Sequence, residues 1–158
     1  MTVAPKISAG KRSSQLAVGA WIARLDALAR DCADAERTEQ PRLLREARDV
    51  LRLAPHQVST PFGLIADPHR FEALIAAQAF ESAALALLGG EAGYMISRGG
   101  GQTHLASVIL PGMTEDVTAE AASAALALLS AQAAALAAIT RCGGSPQSHD
   151  EERPHLLN

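Results

Sequence analysis

Two stretches near the N-terminus carry apolar residues every third or fourth position. Val18, Trp21, Ile22, Leu25, Leu28, Ala29 and Cys32 fall on one face of a helix predicted over about 14–35, with Ser13 or Ser14 as its N-cap. Leu43, Leu44, Ala47, Val50 and Leu51 mark a second amphipathic helix from about Pro41 to Leu53, opened by a proline in the favoured first turn. The polar run from Asp34 to Gln40 lies between them. An antiparallel helical hairpin is the expected pairing, with one bent continuous helix as the alternative.

The pattern then changes. Residues 55–68 hold three prolines and one glycine and read as a boundary, with a short edge strand at 57–60 or 62–66. Asp67 and Pro68 open a third helix that runs to Leu88 and stops at Gly89-Gly90. From Gly93 to Leu110 two short runs with β-branched and aromatic residues flank Gly99-Gly100-Gly101, which predicts a β-hairpin. A tight turn there sets Arg98 opposite Thr103, Ile96 opposite Leu105 and Tyr94 opposite Ser107, with Met95–Ala106 and Ser97–His104 on the other face. Pro111-Gly112 ends the hairpin, and Thr118 opens a fourth helix that reaches Arg141.

These elements predict an α+β, mostly helical protein. An N-terminal helical hairpin is followed by two long helices packed on a small antiparallel β-hairpin. Residues 1–13 read as a flexible arm, 14–54 as the helical hairpin, 55–141 as a helix–β-hairpin–helix unit and 142–158 as a polar tail. Over about 70–138 the order helix, glycine-rich hairpin, Ala/Leu helix resembles the small phage-type ABA sandwich domains. The run Ala124-Ala125-Leu126-Ala127-Leu128-Leu129-Ser130-Ala131, after a Pro-Gly loop, is similar to the closing helix of that group. The hairpin departs from the group in having Tyr94 as its one aromatic residue. The resemblance implies a phage or prophage accessory protein and no particular reaction.

Composition changes this picture in one respect. Alanine fills 33 of 158 positions and aromatic residues make up 3%. Alanine-rich helices approach closely but bury little area each, which favours a second chain supplying the rest. A lone two-stranded hairpin is also marginal in water, so a homo-oligomer is expected. Ala121 to Ile139 carries no charged residue. Because alanine contributes little to insertion, that stretch reads as a buried or interface helix, with no membrane association.

Charge adds less. Residues 1–54 hold ten Lys/Arg against seven Asp/Glu, and residues 55–158 hold four against ten. Neither section has the basic balance of a dedicated nucleic-acid binder. Cys32 and Cys142 are far apart and in no paired spacing, which points to a reducing, cytoplasmic setting.

Candidate chemistry is sparse. His56, His69, His104, His149 and His155 lack zinc-ligand spacing, no nucleophile elbow is present, and no metal or cofactor is implied. The reading is therefore a non-enzymatic, oligomeric protein-interaction module with a protein partner of unknown identity. Two alternatives stay open. Ser97, Arg98, Gly99, Gly100, Gly101, Gln102, Thr103 and His104 could bind a small anionic ligand or nucleotide through loop amides. Arg42, Arg45, Arg48 and Arg52 form a basic face that could contact nucleic acid. Glu46 and Asp49, four residues after Arg42 and Arg45, instead favour a solvated, ion-paired face.

Overall fold

A computed structural model describes residues 16–56, 58 and 67–143. The arm at 1–13, the Ser13 or Ser14 cap, the edge strand at 57–60 or 62–66 apart from Val58, which lies in a bend, and the tail from 144 lie outside the described residues.

The first two helices form as the apolar spacing predicts. α1 spans Val18–Asp34 and buries Trp21, Leu25, Leu28 and Cys32. Its N-cap is Ala17, which has no side-chain cap bond. A 3₁₀ turn at Arg37–Glu39 reverses the chain, closed by reciprocal bonds between Glu36 and Glu39. α2, Gln40–Arg52, then runs back along α1 and buries Leu43, Leu44, Ala47, Val50 and Leu51. The indole Nε1 of Trp21 donates to the Val50 carbonyl at 2.8 Å, tying the start of α1 to the end of α2. This contact settles the pairing as an antiparallel hairpin and rules out one bent helix.

The expected third helix is two helices. α3, Pro68–Ala76, begins where Asp67 accepts from the His69 amide at 3.0 Å. It ends at Gln78, whose φ of 57° is left-handed. There the Ala79 amide donates to the Leu74 carbonyl and the Gln78 amide to the Ile75 carbonyl, a Schellman-type closure. α4, Phe80–Leu88, follows. Continued straight at 100° per residue, Ala83 and Leu87 would point about 120° away from Phe71 and Ile75. The break lets all four reach the core.

The sheet has three antiparallel strands in the order β1-β2-β3: Gly93–Arg98, His104–Ile109 and Val117–Ala121. The hairpin register differs by one residue from the expected pairing. Arg98 lies opposite His104, Ile96 opposite Ala106 and Tyr94 opposite Val108. The Gly99 amide donates to the Thr103 carbonyl at 3.0 Å, so the turn is the three residues 100–102, with Gly101 at φ 83°. A one-residue slip turns a strand over. The observed register puts Ala106 and Val108 inward, where both are fully buried.

Residues 117–121, expected at the start of the last helix, form the third strand. Val117, Ala119 and Ala121 face inward, and Thr118 and Glu120 face out. Helix α5 starts later, at Ala124, and ends at Arg141. Its N-cap is Ser123, whose hydroxyl accepts from the Leu126 amide at 3.2 Å, so Thr118 is not the cap.

α5 is the centre of the molecule. It packs against α1 on one side and β2 and β3 on the other, and touches α2 and α4 as well. Its two interior polar residues bond across to neighbours. Ser130 donates to the Ala29 carbonyl of α1 at 2.8 Å, and Gln132 donates to the Leu87 carbonyl at the end of α4 at 2.9 Å. α5 is long and apolar enough to cross a membrane by composition, and most of it is buried within this fold. The N-terminal hairpin and the C-terminal unit share one hydrophobic core.

Candidate interaction site

Two-faced strands expose one face unless a second layer covers it. Here α5 lies over the inner faces of β2 and β3 and scarcely touches β1. The outer face, with Met95, Ser97, Leu105, Ser107, Ile109, Thr118 and Glu120, has no covering element among the described residues. Ser107 and Thr118 hydrogen-bond across it at 2.6 Å. Among the described residues three large hydrophobic side chains are exposed: Tyr94 at 51%, Met95 at 64% and Ile109 at 36%. All three sit at the base of the β1–β2 hairpin. Ile109 lies directly opposite Gly93, where a Cβ would meet its Cγ2 at 2.8 Å, so only glycine lets the two strands close there.

β1 is also one of the two edge strands of the sheet and has no further strand beside it among the described residues. The Gly99 amide points to β2, so alternation directs the backbone groups of 93, 95 and 97 the same way. The N–H and C=O groups of Tyr94, Ile96 and Arg98 therefore point outward. No proline or lysine guards this six-residue edge.

The predicted loop site is only partly assembled. Arg98 and His104 are opposite one another on the inner face, while Ser97 lies on the outer face opposite Leu105. The loop is largely closed on itself: the Gly99 amide is used by Thr103, and the Thr103 hydroxyl lies 3.4 Å from the Gly100 carbonyl. Arg37, not anticipated, reaches the tip from the α1–α2 turn. Its Nε donates to the Ala122 carbonyl at 2.7 Å, and its Nη2 lies 3.4 Å from the Gln102 carbonyl. His104 Nδ1 is buried without a hydrogen-bond partner among the described residues.

The arginine face is largely ion-paired. Arg42 bonds Glu39 and Glu46 at 2.9 and 3.1 Å. Arg45 goes to Glu72 on α3 at 2.8 Å, and not to Asp49 as the helical spacing suggested. Arg48 joins Glu72 at 3.3 Å, lies 3.6 Å from Asp49 and covers the Phe71 ring at 5.1 Å. These bonds hold the Glu39 and Glu72 carboxyls below the usual carboxylate range and raise the Arg42 and Arg45 guanidiniums. Arg52 is exposed at the last turn. Two of the four, Arg45 and Arg48, thus tie α2 to α3 through Glu72.

Among the described residues, no group of three or more His, Cys, Asp or Glu converges to hold a metal ion. The residues that sequence reasoning missed are Tyr94, Met95 and Ile109. Tyr94 lies on the inner face opposite Val108, beyond the reach of α5, whereas a signal for Met95 and Ile109 on the outer face was present. Tyr94-Met95-Ile96 and Val108-Ile109-Leu110 are unbroken apolar runs, and a strand alternates faces, so each run must put a large side chain on the uncovered side.

Comparison with protein-family models, with curated proteins and with solved structures finds no match to this chain.

Proposed function

We propose that the chain is a non-enzymatic protein-interaction module of the phage or prophage accessory type that residues 70–138 resemble, working through the open edge and outer face of its sheet. The observation that carries this reading is the gathering of Tyr94, Met95 and Ile109 beside unpaired backbone groups of β1. Strand addition suits such an edge: main-chain bonds supply affinity, and the exposed side chains supply selectivity. The two free cysteines, one buried and one exposed, are in keeping with a cytoplasmic setting.

The anionic-ligand and nucleic-acid alternatives have less support. Part of the loop's polar capacity is spent on itself and on Arg37, and three of the four helix-two arginines are already paired.

The test is photo-crosslinking in the cells that make the protein. Benzoylphenylalanine at position 95 yields covalent adducts with protein, whereas the same group at Ala33, on the exposed side of α1, yields several-fold fewer. A position-95 variant that folds normally and forms no protein adduct, with its own chain or another, overturns the reading.

A further inference from the structure

We infer that the occupant of the β1 edge is β1 of a second copy, paired antiparallel about Met95, so that two chains build one six-stranded sheet. The inference rests on the interaction-module reading and adds the identity of the partner.

The ladder sets the geometry. A two-fold axis perpendicular to the sheet keeps both helical layers on one side, so paired residues must both be inward-facing or both outward-facing. Centring the axis on Met95 satisfies this. Tyr94 then lies opposite Ile96 of the second copy, and Arg98 opposite Ala92 of the second copy. The outward N–H and C=O groups of Tyr94 and Ile96 exchange hydrogen bonds, and the two Met95 residues form the close, non-hydrogen-bonded pair. The two most exposed large hydrophobic side chains of the described residues, Met95 and Tyr94, are both at this seam.

Charge selects the antiparallel arrangement. Glu91 stands just before β1 and Arg98 ends it; both are exposed. Neither has an ion-pair partner among the described residues. In an antiparallel copy Glu91 of each chain, in the bend before β1, is a diagonal neighbour of Arg98 of the other, so the opposite charges attract across the seam, twice by symmetry. A parallel copy would stack like charges.

Light scattering on the full chain across a concentration series tests the pairing. The expected result is a reversible doubling of mass. Glu91→Arg alone and Arg98→Glu alone each weaken the dimer about tenfold, and the double reversal restores it. Both positions are on the surface, so the variants keep the native circular dichroism.

Disulfide trapping then reads the register in a Cys142→Ser background, where the remaining Cys32 is buried. Met95→Cys crosslinks under mild oxidation. Ser97→Cys does not, because its counterpart lies four residues along the strand, ~14 Å away.

A chain that stays monomeric at several hundred micromolar overturns the inference, as does a dimer indifferent to both charge reversals or equal trapping at 95 and 97. A monomer that still photo-crosslinks a different protein through position 95 overturns self-pairing alone and leaves the interaction module standing. A monomer with no adduct at all removes both.

Discussion

Cys32 closes the buried stripe of α1, and its surroundings suppress ionisation. Burial, with smaller contributions from Glu46 and Asp31, pushes the thiol from 9.0 up to about 12. Below pH 9 both folded and unfolded chains keep the proton, so the residue is silent. Between 9 and about 12 the unfolded chain releases it and the folded chain holds it, and stability falls as pH rises. Urea unfolding should therefore show a loss of about 1.4 kcal/mol per pH unit above 9 in the native sequence, absent from Cys32→Ala. A thiol reagent at neutral pH should modify the exposed Cys142 quickly and Cys32 only after unfolding.

At the scale of elements, the break at Gln78 is the feature most open to test. Its left-handed backbone carries a strain that glycine would relieve and a β-branched residue would increase. Gln78→Gly should raise stability by up to about 1 kcal/mol, while Gln78→Val should lower it by about 1–2 kcal/mol, both read from denaturant midpoints. The contrast also shows what the sequence could convey. α1 and α2 were legible because their apolar stripes keep one phase throughout. The α3–α4 break was hidden because Ala73, Ala76, Ala77 and Ala79 are strong helix formers, and only the phase change between Phe71/Ile75 and Ala83/Leu87 marks it. β3 was hidden for a related reason. Val117-Thr118-Ala119-Glu120-Ala121 does alternate, but its alanines and its Thr-x-Glu beginning read equally as a helix start. The hairpin itself was legible and its register was not, since three glycines permit several turn lengths. The candidate edge was half legible: the apolar runs of β1 and β2 require an exposed side, but only the placement of α5 shows which strand is left bare.

For the whole molecule, the alanines of α5 have a packing role that composition alone left open. Ala127, Ala131 and Ala135 are fully buried at successive turns, where neighbours press close on the helix. A larger side chain has nowhere to go. Ala131→Leu should destabilise by about 1–3 kcal/mol in chemical unfolding, with a clearly smaller effect for Ala134→Leu at a partly exposed position. The low aromatic content is therefore compatible with a buried central helix. Any second copy is called for by the sheet edge.

The central place of α5 also fixes when the protein can finish folding. α1 is made early, yet the carbonyl of its Ala29 is bonded by Ser130, 101 residues later in the chain. The strands β2 and β3 likewise rest on a helix that follows them in sequence. As the chain leaves the ribosome, the apolar faces of α1 and of the sheet have no final partner until α5 arrives. Long-range contacts of this kind slow folding and leave sticky surfaces exposed meanwhile. A message cut short before Ser123 would thus yield a chain whose core lacks its central helix.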